Sequence, residues 1–143
     1  FIGVMLLIVY LLTVQGVDFQ GKIGWVILTC AMGSINGVVL GGFIACVSKK
    51  NENTKYALAT GVSMILSFLA GLMMHDIRYI IMTRVPVLSY INPGNLVVDM
   101  LFSLDYYATL DRYILNMVLL KLITMILLAF IVVSARRRRY ASI

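Results

Sequence analysis

The sequence predicts an all-α integral membrane protein with about four transmembrane helices and a re-entrant or interfacial helical hairpin on the outer side. Hydrophobic residues make up 62% of the 143-residue chain, and charged residues make up 13%, about half the share of a soluble domain. The last apolar stretch ends in four consecutive arginines. Because basic residues beside a span stay on the cytoplasmic side, this pattern indicates a cytoplasmic C-terminus.

Four apolar segments are expected to span or enter the bilayer, at residues 1–12, 24–47, 56–74 and 113–135. The first measures only about 18 Å as a helix, so it is interpreted as a span cut by a fragment boundary. The chain would then be the C-terminal part of a longer protein. Lysine and arginine number seven on the predicted cytoplasmic side, including the basic tail 136–143, and four on the outer side. This bias agrees with a multi-pass topology and gives no indication of a nucleic-acid partner.

The segment 75–112 differs from the four spans. It is too long for a turn and too apolar for a free loop, and Pro86 and Pro93 interrupt it. Apolar runs of about 10 residues bounded by proline and glycine are typical of re-entrant or interfacial helices. The sequence therefore predicts a helical hairpin that dips in from the outer face, with a folded extracellular loop as the alternative.

Small residues recur at every fourth position of the segment 24–47, at Gly33, Gly37, Gly41 and Ala45. Such a stripe lets two helix backbones approach closely, either within the chain or across a dimer. Asn36 lies beside the stripe, and an amide in lipid needs a partner or a wet cavity. Either an interhelical hydrogen bond or a substrate path would satisfy it.

Lys121 is the one charge between residues 113 and 135. Its insertion costs about 3 kcal/mol, so the ammonium group should snorkel, pair or face water. Asp99 and Asp105 of the hairpin are the candidate partners. Asn116 is a second polar residue of this span, and it is a candidate for pairing or for lining a path.

The chain carries no sign of enzyme chemistry. His75-Asp76 is a weak catalytic signal, and the sequence contains no P-loop and no zinc-protease motif. Cys30 and Cys46 lie in one apolar span and are expected to be packing residues. We therefore expect no enzyme activity, no cofactor and no metal.

Several motifs together resemble the C-terminal half of type 2 ABC transporter permeases, the membrane subunits of many bacterial exporters. They are a basic loop, a span ending at residues 67–72 (SFLAGL), and Val85-Pro86, followed by Ile91-Asn92-Pro93 and by residues 97–101 with Asp99. A final span and a basic tail complete the order. The resemblance covers most of the chain, and the order of its short motifs carries the weight.

The resemblance implies that the four segments are spans three to six of six, in the cell membrane. It implies two copies of an ATPase subunit that supply ATP hydrolysis, and a second permease copy or a paralogue. Five residues are expected to face the ATPase: Lys49, Lys50, Glu52, Arg136 and Arg137. A solvated loop beside the lipid is the alternative. Pro86, Asn92, Pro93 and Asp99 would belong to an outer lid over the translocation path.

Three functions therefore follow from the sequence, in descending order. The first is the permease subunit of an ATP-driven exporter with an unidentified, amphipathic or hydrophobic substrate. The second is a non-transporting multi-span sensor or assembly protein, which accounts for the spans but not for the proline-rich hairpin. The third is an intramembrane enzyme that uses His75 and the aspartates.

Overall fold

The computed structural model describes residues 2–14, 21–48, 51–72, 79–80, 83–84, 86–106 and 109–140. Over these residues the protein is all-α, as the sequence predicts, and they contain no strand. Six helices have both ends within the described residues: α1 (Ile2–Thr13), α2 (Ile23–Val47), α3 (Glu52–Leu69), α4 (Pro86–Ile91), α5 (Pro93–Tyr106) and α6 (Asp111–Tyr140). Residues 79–80 and 83–84 are also helical.

Two of these helices are long and apolar enough to cross a membrane. They are α2, with 25 residues and a mean hydropathy of 1.8, and the Asp111–Arg136 part of α6, with 26 residues and a mean hydropathy of 2.7. Only 28% and 17% of their apolar stretches are buried inside the protein. The core helix of a soluble domain would be mostly buried, so these outward-facing apolar surfaces are compatible with a membrane protein.

Helices α2 and α6 lie side by side and run in the same direction. The rings of Trp25 and Tyr113 pack edge to face at 5.3 Å between centroids, and those of Phe43 and Phe130 do so at 5.1 Å. The residues of the first pair are 88 positions apart in the sequence and those of the second are 87 apart, so the two helices run parallel. We call the end of the pair at Trp25 the Trp25 end and the opposite end the Phe43 end. The two ends are about 27 Å apart along the helices.

Helix α3 starts at the Phe43 end, where Glu52 and Ala45 border one pocket, and ends at Leu69. Its last turn is a Schellman motif: the N–H of Gly71 donates to the Phe68 carbonyl (3.0 Å), and that of Leu72 donates to the Ser67 carbonyl (3.2 Å). Gly71 takes a φ of +77°, which glycine adopts without strain. The expected helix to residue 74 is therefore too long, and residues 73–78 lie outside the described part.

Helices α4 and α5 form a hairpin, Pro86–Tyr106. Its tip at Asn92 and Pro93 lies beside α3 and the middle of α2, where Pro93 borders one cleft with Gly33. One turn after the tip, the Val97 side chain lies 3.3 Å from a Cβ built on Gly33. Gly33 is ten residues into α2, about 15 Å from its start. The last turn of α5 returns to the Trp25 end, where the Lys22 ammonium donates to the Leu104 carbonyl (3.3 Å).

The core lies where the hairpin meets α2 and α6. Helix α5 buries one face, made by Asn95, Leu96, Asp99, Met100, Ser103 and Leu104. The apolar members of this face pack in one cluster with Val26 and Cys30 of α2, Tyr113, Met117 and Leu120 of α6, and Ile8 of α1. A short helix pair is thus held by apolar packing on two longer ones, with polar groups distributed along the same interface.

Candidate functional site

An ion pair joins the hairpin to the start of α6. The carboxylate of Asp99 accepts hydrogen bonds from Arg112 through Nε (2.9 Å) and Nη2 (3.2 Å), and a third from Asn116 Nδ2 (2.7 Å). Arg112 and Asn116 are four residues apart, so they share the helix face that meets α5. Asp99 is 7% exposed and Asn116 is 1% exposed. Such bidentate, charge-assisted bonds fix orientation as well as distance.

Asn92 organises the tip of the hairpin. Its Oδ1 accepts a hydrogen bond from the N–H of Gly94 (3.0 Å), which caps the first turn of α5. Pro93 occupies the first helical position, where its missing N–H costs nothing. The Nδ2 of Asn92 donates to the Leu66 carbonyl of α3 (2.8 Å). One buried amide thereby starts α5 and ties the tip to α3.

A polar pocket of about 140 Å³ lies between α4, α5 and α6, toward the Trp25 end. It is lined by Ser89, Tyr90, Asn95, Leu96, Asp99, Arg112 and Asn116. The amide of Asn95 donates to the carbonyl and to the hydroxyl of Ser89, both at 3.0 Å. These bonds hold α4 against the first turn of α5. The pocket is thus walled by a fixed set of polar groups and a compensated charge pair.

Two further polar contacts join α2 to α6. Asn36 Nδ2 donates to Thr124 Oγ1 (2.8 Å), whose own hydroxyl donates to the Leu120 carbonyl (2.7 Å). Nearer the Trp25 end, Thr29 Oγ1 donates to the hydroxyl of Tyr113 (3.1 Å). Of the two roles considered for Asn36, the structure provides the interhelical hydrogen bond. Asn36 also lines a cleft of about 160 Å³ between α2, α3 and the tip.

The small-residue stripe of α2 does not pack as one unit within the described part of the chain. Gly33 lies against Val97, but a Cβ on Gly37 or Gly41 would meet nothing within 4 Å. Gly42, outside the stripe, faces Ile131 of α6 at 3.4 Å. Ala45 lies beside Glu52 in a separate pocket. Gly37 borders the cleft between α2, α3 and the tip, so Gly37 and Gly41 have space beside them that no described side chain fills.

Lys121 is exposed on α6. The charge partner that the structure gives Asp99 is Arg112, in the first turn of that helix, rather than Lys121.

The residues expected to face an ATPase are only partly described. Glu52 is exposed at the start of α3 and borders a pocket of about 180 Å³ with Ala45, Lys55 and Tyr56. Arg136 is exposed in the last turns of α6, and Arg137 continues the helix. Lys49 and Lys50 lie outside the described residues, as do His75 and Asp76.

Sequence reasoning missed several of the polar residues at this interface. Arg112 was counted only as an outer charge, and Ser89, Asn95 and Thr124 were given no role. The role of Arg112 could have been predicted, because Arg112 and Asn116 place two hydrogen-bond donors on one face of the helix that follows Asp99. Thr124 gave no such signal, since a lone threonine in an apolar helix usually bonds its own backbone.

No protein-family model, curated protein or solved structure matches this chain. The resemblance to type 2 ABC permeases therefore rests on the quoted motifs, and the contacts above show what those residues do. Asn92-Pro93 begins a helix at the hairpin tip, and Asp99 attaches that helix to α6.

Proposed function

We propose that this chain is part of the membrane-spanning permease subunit of an ATP-driven ABC exporter, in the cell membrane. The observation that carries the proposal is the placement of the hairpin. Its tip lies against the middle of α2, and its second helix returns to the Trp25 end. A buried polar backbone at such depth is tolerated only where protein or water surrounds it. Asn92 meets this requirement by bonding to α3 and to α5.

The proposal includes four spans, with the Trp25 end outside and the C-terminus in the cytoplasm. Helices α2 and α6 run in the same direction, and this supports the topology. A single crossing by α3 returns the chain to the side on which α2 begins, and α6 then starts from that side. The excess of lysine and arginine near the Phe43 end supports the orientation. In this arrangement the hairpin enters and leaves the membrane on the outer side.

The proposed mechanism is alternating access driven by an ATPase partner. Two ATPase subunits dock at the Phe43 end, against the loop before Glu52 and the tail that begins at Arg136. ATP binding closes the cytoplasmic side, and the hairpin acts as the outer lid. The polar bonds of Asp99 and Asn92 make the hairpin move with α6 and α3, since the start and the middle of α5 are each attached to a neighbouring helix. The cargo is proposed to be amphipathic or hydrophobic.

Partner assembly is also proposed. A second permease copy or paralogue completes the path, and Gly37 and Gly41 of α2, where a Cβ would meet nothing within 4 Å, are suited to close helix packing with another span. An apolar helix in lipid gains little from hydrophobicity when it associates, so close backbone approach is the main source of stability.

Affinity purification in mild detergent tests the proposal. The full chain is tagged, extracted from its native membranes, and the co-purifying proteins are identified. If the chain is part of an exporter, a P-loop ATPase should co-purify with it in stoichiometric amount. A stable, monomeric protein without an ATPase would contradict it and favour a sensor or assembly role. An alanine variant of His75 and Asp76 adds a second readout, because a lid tolerates the change and an active site does not.

A further inference from the structure

A cleft near the middle of α2 and α3 is lined by polar side chains. It has a volume of about 160 Å³ and lies between α2, α3 and the hairpin tip. Two of its lining residues, Gly33 of α2 and Ser63 of α3, lie about 15 Å and about 17 Å from the starts of their helices. In the proposed topology both are close to the bilayer midplane, where lipid offers a polar group no hydrogen bond.

Asn36 contributes an acceptor to the wall of this cleft. The residue is 3% exposed, and its Nδ2 donates to Thr124 Oγ1. This amide orientation is fixed, because the Thr124 hydroxyl proton is used on the Leu120 carbonyl. No described residue donates to Asn36 Oδ1. The oxygen keeps accessible surface of its own, and since Asn36 lines the cleft, that surface opens into it.

Two serine hydroxyls belong to the α3 wall of the same cleft. Ser63 and Ser67 lie four residues apart, on one face of α3, and both line the cleft. Neither hydroxyl has a hydrogen bond to a described residue. A serine in a helix can donate to the carbonyl four positions earlier, as Ser34 does to Cys30 at 2.8 Å. The two α3 hydroxyls are therefore available both to donate and to accept.

The lining favours an uncharged ligand that has a polar and an apolar part. The described residues put no charged side chain on the cleft, so an ion would lose its hydration without gaining a counter-charge. Leu40, Leu66 and Val97 complete the wall, which places apolar surface beside the polar groups. Apolar walls with a few polar groups are typical of small-molecule sites. A hydroxyl group matches these polar groups, because it both donates and accepts.

We propose that this cleft binds an uncharged amphiphile from the bilayer through a hydroxyl group. The hydroxyl donates to Asn36 Oδ1 and accepts from Ser63 or Ser67. The apolar chain of the ligand lies against Leu66 and Val97. The inference rests on the proposed function and names the class of cargo. Binding itself needs no ATPase, so it is measured separately from transport.

Photolabelling provides the test. The full chain is purified in mild detergent, placed in lipid nanodiscs and illuminated with an octanol that carries a diazirine, or with the octane that carries the same diazirine. Mass spectrometry of the peptides locates the adducts. At equal probe concentration in the membrane, one hydrogen bond predicts roughly fivefold stronger labelling of the cleft by the octanol, and two predict roughly thirtyfold.

Two matched comparisons test the position of the ligand. Gly37 lines the cleft and Gly41 lies outside its lining, yet a Cβ on either would meet nothing within 4 Å. Gly37→Leu should fill the cleft and abolish the preference for the octanol, whereas Gly41→Leu should retain it. Replacing Ser63 and Ser67 together by alanine should lower octanol labelling about fivefold. Ser34→Ala, which removes a hydroxyl away from the cleft, should leave the labelling unchanged.

Equal labelling of the cleft by the octanol and the octane would overturn the proposal, because the hydroxyl would then contribute nothing. Unchanged octanol labelling in Gly37→Leu or in the double serine variant would also overturn it, because the probe would then bind elsewhere. A chain that prefers the octanol but recovers no ATPase would contradict the exporter and support the binding site. A chain that recovers an ATPase but shows no preference would overturn the binding site alone.

Discussion

Exchanging either member of the Asp99–Arg112 pair for alanine should have unequal effects on stability. The Asp99 side chain is 10% exposed, whereas that of Arg112 is 45% exposed. Arg112→Ala removes the guanidinium from a buried carboxylate, and Asp99→Ala removes the carboxylate from a guanidinium that can turn into water. Because a stranded buried charge is the more costly of the two, Arg112→Ala should be the more destabilising change.

The magnitudes follow from the contacts. Arg112→Ala deletes two charge-assisted bonds to a buried anion, and removing one partner of a buried pair costs about 3–5 kcal/mol. We place it near 3 kcal/mol, because the exposed half of Arg112 lets water reach the site. Asp99→Ala leaves Asn116 without the acceptor of its 2.7 Å bond, a loss of about 2 kcal/mol. The double variant should lose about 2–3 kcal/mol, well below the sum.

Unfolding by sodium dodecyl sulfate in mixed micelles, followed by circular dichroism, measures these free energies. Arg84→Ala is the control, since Arg84 is exposed and should change stability by less than about 0.5 kcal/mol. Additive costs in the double variant, or a larger cost for Asp99→Ala than for Arg112→Ala, would refute the reasoning from burial.

Five further substitutions, at four positions, test the contacts along α2, α5 and α6 with the same unfolding measurement. Asn92→Ser keeps the helix cap but loses the bond to α3, so it should cost about 1 kcal/mol, and Asn92→Ala should cost about 2–3 kcal/mol; equal costs would contradict the capping role. Thr124→Val removes the interhelical acceptor and should cost about 0.6–1.7 kcal/mol, and no loss would mean that this bond is not formed. Gly33→Leu should cost about 1–3 kcal/mol because it overpacks against α5, whereas Gly37→Leu should leave the isolated chain nearly unchanged and weaken assembly with a second permease copy.

The helical fold could be predicted from the sequence because the segments 24–47 of α2 and 113–135 of α6 are long, apolar and nearly free of charge. Short helices in the segment 75–112 were also predicted, from apolar runs bounded by proline and glycine. The structure adds that Asn92 caps α5 and that Pro93 takes its first helical position. The end of α3 was predicted too late. Gly71 lies inside the predicted segment 56–74, yet its left-handed φ ends the helix, and hydropathy alone carries no information about backbone conformation.

The pairing of charges could not be predicted in the same way. Lys121 was expected to snorkel, to face water, or to pair with Asp99 or Asp105. The charge partner that the structure gives Asp99 is instead Arg112, at the start of α6. Sequence distance does not indicate how far along α6 the hairpin docks. That position depends on packing of Leu96, Met100 and Leu104 against α2 and α6, which is a tertiary property.

Site-specific cross-linking to an ATPase tests the central claim most directly. In a background with Cys30→Ala and Cys46→Ala, a benzophenone is attached to Glu52→Cys at the Phe43 end or to Tyr106→Cys at the Trp25 end, and native membranes are illuminated. The proposed exporter function predicts that a P-loop ATPase is cross-linked to position 52 and not to position 106. Capture from position 106, or from neither position in membranes that contain the folded chain, would contradict it.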